Sequence, residues 1–211
     1  MPSTRRRLLA IVATGGVATI AGCAGEVPGT GPRDVDTVET GDSRERVWQY
    51  PAADVEEHDS GIGYASVTFE GERPDDRTPP SLEFTLNTTV GGIAATDEYD
   101  AYEADWARFR LGPPADYDAT HQYRMWVQPP PWPGIRTQYE NQGARRDLVV
   151  ELPDIDGEGT ITLPVVFDPV ETLPDRVRCS VTVQASAPGT FGESVRATGR
   201  GTIDLAAARQ S

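Results

Sequence analysis

From residue 64 onward, apolar and polar positions alternate in short runs, with Gly, Pro, Asp and Asn standing between the runs. Over 160–167, Ile161, Leu163, Val165 and Phe167 take one side while Thr160 and Thr162 take the other. Over 177–185, Val177, Cys179, Val181, Val183 and Ala185 alternate with Arg178, Ser180, Thr182 and Gln184. A period of two turns one face of a strand to a core and the other to water. On this basis strands are predicted over 64–70, 82–89, 106–111, 121–128, 147–152, 160–167, 177–185 and 195–205.

Short strands separated by Gly/Pro turns predict an all-β domain, an antiparallel β-sandwich of immunoglobulin-like type, over 46–208. That label rests on architecture alone, because the Cys…Trp…Cys pattern of antibody domains is absent. Pro164 predicts an edge or a bulge in its strand. Gly199 and Gly201 predict a bulge in the last strand. The segment 100–110, DAYEADWARFR, is the best helix candidate and fits either period. Cys179, set among valines, reads as a small core hydrophobe.

The first part of the chain has another character. Three arginines, Arg5, Arg6 and Arg7, precede an apolar run of 13 residues, Leu8 to Ile20. A helix of that length rises about 20 Å, against a hydrocarbon core of about 30 Å. A basic start, a short apolar stretch and small residues at its end predict a signal peptide over 1–22. The run Arg5-Arg6-Arg7-Leu8-Leu9 resembles the twin-arginine export motif, and Ile20-Ala21-Gly22-Cys23 resembles a lipobox. Together they resemble the signals of haloarchaeal twin-arginine-exported lipoproteins. The resemblance covers the first 23 residues. It implies export, cleavage before Cys23, lipid on the Cys23 thiol, and a protein held on the outer face of the cytoplasmic membrane. Residues 24–45 show no hydrophobic period and are rich in Gly, Pro, Thr and Asp, so 23–45 is predicted to be the lipidated cysteine and a flexible tether.

Net charge narrows the partners. The chain carries formal charge −14 at pH 7, and all 19 basic residues are arginine. Cleavage after Gly22 would remove three arginines and no acid. Such a charge excludes nucleic acid and anionic lipid as partners for the domain surface. It also predicts adaptation to high salt, where a Debye length of about 3 Å at 1 M removes most carboxylate repulsion.

Candidate chemistry is sparse. Asp154, Asp156 and Glu158 alternate around a glycine, as ligands for a hard cation would, but the spacing is not that of an EF-hand loop. The pairs Asp97/Glu98 and Glu103/Asp105 have the residue types of a glycosidase pair. Of the two histidines, His58 lies in an acidic stretch and His121 at a strand end; no zinc signature, phosphate loop, dinucleotide fingerprint or nucleophile elbow occurs. No cofactor is predicted. The proline-rich stretch 128–134 would stiffen a loop that presents Trp132, with Trp126 and Tyr139 extending a contact patch. Asn87-Thr88-Thr89 is an N-glycosylation sequon. The sequence therefore predicts a surface-anchored, non-enzymatic binding domain with a protein, glycan or small solute as partner. The alternatives are a hydrolase with a carboxylate pair and a structural envelope component.

Overall fold

The computed structural model describes residues 31–51, 61–73, 78–91, 99–117, 122–128, 134–142, 145–153, 155, 159–189 and 193–210. Among these described residues, twelve strands and one helical turn follow in order: β1 (Arg33–Val35), β2 (Val38–Gly41), β3 (Glu45–Pro51), β4 (Gly61–Glu72), β5 (Leu82–Val90), β6 (Glu103–Gly112), β7 (Tyr123–Val127), β8 (Arg136–Gln142), β9 (Arg145–Pro153), β10 (Gly159–Pro169), β11 (Arg176–Ser186), β12 (Ser194–Asp204) and α1 (Leu205–Ala208). They form two six-stranded sheets, β1-β12-β11-β6-β9-β8 and β2-β3-β4-β5-β10-β7. Every pairing is antiparallel except β1 with β12, which is parallel.

The alternation read from the sequence builds the core. Ile161, Leu163, Val165 and Phe167 of β10 and Val177, Cys179, Val181, Val183 and Ala185 of β11 are all buried. With Trp48, Phe69, Phe84, Leu86, Phe109 and Leu111 they form one apolar cluster between the sheets. The chain is an all-β sandwich, and each of the eight predicted strand regions coincides with a strand.

Several details differ from expectation. Arg33–Val35 and Val38–Gly41 are strands, one in each sheet, within the segment expected to be tether. Segment 100–110 is not helical: it turns at Tyr99–Ala101 and then enters β6. Its mixed period has a cause, a register shift opposite Gln184 and Ala185 at which Asp105 is the additional residue. Pro164 lies in an interior strand, since β10 pairs with both β5 and β7. The proline is tolerated because its carbonyl accepts Gln128 N–H (2.9 Å) just where β7 ends, and the N–H it lacks would point the same way. The expected bulge at Gly199 and Gly201 is also absent: the β11–β12 register is unbroken from Arg176↔Asp204 to Ser186↔Ser194. A Cβ on Gly199 would sit 2.2 Å from the Trp48 ring, so this glycine makes room for an indole from the opposite sheet.

The sandwich is closed at one side by main-chain anchors from tyrosines. Tyr139 Oη of β8 donates to Met125 O of β7. Tyr123 Oη of β7 donates to Arg146 O (2.8 Å) and accepts from Arg146 N (2.7 Å). Each contact joins an edge strand of one sheet to the other sheet.

Candidate functional site

Inward residues of β6, β11 and β12 are apolar, so their register fixes which polar residues share the outer face. Across these strands the aligned outer positions form four rows: Trp106–Gln184–Arg196, Arg108–Thr182–Thr198, Arg110–Ser180–Arg200 and Gly112–Arg178–Thr202. Neighbouring strands lie about 4.8 Å apart and successive rows about 6.7 Å. The centre column carries the short hydroxyl side chains Thr182 and Ser180 in its two middle rows, while arginines stand on both flanks. Tall walls over a low floor produce an open hollow of about 660 Å³, lined by Arg108, Arg110, Arg178, Arg200, Ser180, Thr182, Thr198 and Thr202 among others. Trp106 is half-buried at one end of the same face.

The positive charges are unequally matched. Glu140 of β8 accepts from Nη2 of both Arg108 and Arg110. Arg108 Nε also lies 3.5 Å from Glu151. Arg178 donates through Nη2 to Asp147 Oδ1 (3.0 Å) and through Nε to Pro113 O (2.8 Å). Arg196 lies 4.0 Å from exposed Asp34. Arg200 is exposed and has no acidic partner among the described residues. The Thr182 and Thr198 hydroxyls are 3.3 Å apart.

Asp147 is a counter-ion beneath this surface. Only 2% of the residue is exposed. It occupies a niche that exists because residue 112 is glycine: a Cβ there would lie 1.9 Å from Asp147 Oδ1. Burial raises its carboxyl above the ordinary carboxylate range, and Arg178 and Arg110 oppose that shift. A raised carboxyl in a hollow has the electrostatics of a general acid. Its accessibility does not suit that role, since its surface is already taken up by Arg178 and the β6 backbone.

The residues singled out in the sequence lie elsewhere. Trp126 is 37% exposed on the outer face of β7, opposite Val166. Tyr139 is 53% exposed, yet its hydroxyl is committed to Met125 O. The two share one edge of the sandwich, where Tyr139 acts as a fastener. Asn87 sits mid-strand in the row Ser66–Asn87–Thr162 and donates to Ser66 Oγ (3.3 Å). Asp105 accepts from Ser186 Oγ (2.5 Å), and Glu103 is exposed. Among the described residues no group of three or more His, Cys, Asp or Glu side chains is placed to hold a metal. Cys179 is a free, buried thiol, pushed up to about 12 chiefly by burial. Outside the described residues lie Arg5, Arg6, Ile20, Ala21, Gly22, Cys23, His58, Asp97, Glu98, His121, Trp132, Asp154, Asp156 and Glu158.

The arginine hollow escapes a reading of the chain in order. In each strand Arg108/Arg110, Ser180/Thr182 and Thr198/Arg200 look like an ordinary solvent face. Only the pairing of β6 with β11 and of β11 with β12 brings the three segments together. The signal available beforehand was a cluster of arginines on predicted strands of a strongly acidic chain.

Comparison with known proteins gives a family and distant likenesses. Residues 37–207 match the model of a family described as "Domain of unknown function (DUF8121)". No curated protein matches. Among solved structures, the chain is similar to the cohesin module from a Clostridium perfringens ATCC13124 family 33 glycoside hydrolase, at 9% identity and TM-score 0.37, covering 68% of this chain and 96% of that one. It is also similar to a collagen-binding domain from a Staphylococcus aureus adhesin, at 10% identity and TM-score 0.32, covering 63% and 93%.

Proposed function

The chain belongs to the DUF8121 family, and we propose that it is an exported, lipid-anchored binding module that works by recognition and not by catalysis. The single observation that carries the binding role is the outer face of β6, β11 and β12. In a chain of charge −14, four arginines and four hydroxyl side chains line one open hollow. Concentrating the scarce positive charge in one place serves capture of an anionic group.

The anchoring part of the proposal is supported by the arginines ahead of the apolar run and by Ile20-Ala21-Gly22-Cys23. Cleavage before Cys23 would free the cysteine for lipid attachment, and the module would stand on the outer face of the cytoplasmic membrane. The immunoglobulin-like layout belongs to the same proposal; its support is two largely antiparallel sheets over one core, with connections that cross between them. Adaptation to concentrated salt is supported by the acidic, lysine-free composition.

Expression of the full chain in a haloarchaeal host, with intact-mass analysis of the membrane fraction, tests the anchor. The expected product lacks residues 1–22 and carries lipid on Cys23, and Cys23→Ser moves the protein to the medium. A Cys23→Ser protein that stays equally membrane-bound overturns the lipoprotein reading.

A further inference from the structure

Resting on the binding-module reading above, we infer that the hollow over β6, β11 and β12 binds an acidic polysaccharide, a chain of sugars bearing carboxylate or sulfate groups. Three features of one face converge on that chemistry. Arg110 and Arg200 occupy the two positions flanking Ser180 in a single row, about two strand spacings apart, with the Arg110 guanidinium held by Glu140 of β8 and free to turn toward Ser180 once that carboxylate is displaced. An acidic group above Ser180 takes charge-assisted hydrogen bonds from both sides, the geometry in which guanidinium is strongest. The hydroxyl column beneath matches ligand hydroxyls, which both donate and accept.

Trp106 supplies the third feature. It lies on the same face two rows from Arg110, about 13 Å along the strand. The flat, apolar side of an indole suits the C–H face of a sugar ring and gives nothing to a bare inorganic anion. An extended chain that rests one ring on Trp106 brings a later acidic group to the Arg110–Ser180–Arg200 row.

Glu140 marks the same preference from inside the protein. Its carboxylate already holds Nη2 of both Arg108 and Arg110. It is an internal competitor, and an incoming carboxylate or sulfate takes over those donors. Arg200 has no such competitor among the described residues, so it makes first contact.

The test is titration calorimetry on the protein as isolated from the expression host, with detergent where it is membrane-bound, in concentrated KCl, with four probes: polygalacturonate, dextran sulfate, neutral dextran and polyglutamate. Binding is expected to polygalacturonate, dextran sulfate or both, and not to neutral dextran. Arg200→Ala and Trp106→Ala are each expected to weaken that binding about tenfold or more. Glu140→Gln is expected to strengthen it severalfold by releasing two guanidinium groups. Circular dichroism on each variant establishes that the fold is kept, and exposed Arg200 provides the variant least able to disturb it. Polyglutamate binding as tight as either acidic polysaccharide, or insensitivity to Trp106→Ala in a folded variant, overturns the sugar assignment and leaves a binding module for an acidic protein. Binding to no polyanion, or a Glu140→Gln variant no tighter than the parent, overturns the site. The anchoring proposal stands or falls separately, on Cys23→Ser.

Discussion

Gly199 has no side chain, and the Trp48 indole uses the space. The contact joins the middle of β12 to β3 across the sandwich, and Trp48 is only 1% exposed. Replacement by valine would push a branched side chain into a ring that has nowhere to go. Gly199→Val is expected to destabilise the domain by about 1–3 kcal/mol or more, the cost of overpacking a core, as read from the shift of the chemical-unfolding midpoint at constant slope. Gly112 plays the matching part on the outside, where the missing Cβ is the niche of the Asp147 carboxylate. Sequence alone marks both positions only as glycines in strands. Whether such a glycine bends the strand or admits a neighbour depends on the residue across from it, and Trp48 lies 151 positions away from Gly199.

At the level of elements, α1 is too short to hold itself and is clasped by one arginine. Arg44, ahead of β3, donates from Nη1 to Ala208 O (3.2 Å) and from Nη2 to Phe69 O (3.3 Å) and Glu70 O (3.0 Å). Its guanidinium carbon lies 5.4 Å from the Phe69 ring centroid. Arg44→Ala is expected to cost about 1.5–3 kcal/mol, the range for hydrogen bonds to a charged group, and to speed amide exchange selectively over 205–210. Arg44→Lys should recover little of this, since a point charge cannot serve three carbonyls in a fork. The strands that sequence made legible are those with one buried face, such as β10 and β11. Of those it missed, β3 buries Trp48 and Tyr50 and is the exception; the other three have little or no buried face. β1 and β2 are short, mostly exposed edges. β8, RTQYENQ, is an edge strand defined by main-chain pairing to β9, with only Tyr139 to suggest a period. β6 fitted either period because the extra residue Asp105 shifts its phase. The arginine-lined face was illegible for a related reason. Each strand contributes two or three ordinary surface residues, and their meaning comes from lateral register.

Taken whole, the molecule places charge unevenly. The hollow gathers arginines on one outer face. The rows of the other sheet, Tyr64–Thr89–Thr160, Ser66–Asn87–Thr162 and Thr68–Thr85–Pro164, carry no charge. The acidic excess therefore lies outside these two central areas, where carboxylates repel one another unless screened. The melting temperature of the chain is expected to rise steadily between about 0.5 and 2 M KCl, with loss of structure below about 0.5 M as the Debye length grows past several ångströms. A melting temperature independent of KCl would remove concentrated salt as the condition of its stability.

The parallel pairing of β1 with β12 has a mechanical consequence. Arg33, Asp34 and Val35 run alongside Val195, Arg196 and Ala197 in the same direction. A pull on the amino end along that axis loads every rung together in shear; it does not peel them singly, as it would in a hairpin opened at its mouth. The Thr37 hydroxyl, bonded to Thr198 O (3.1 Å), adds a further point of hold one step along. The first strand is thus a latch against a pull applied at Arg33.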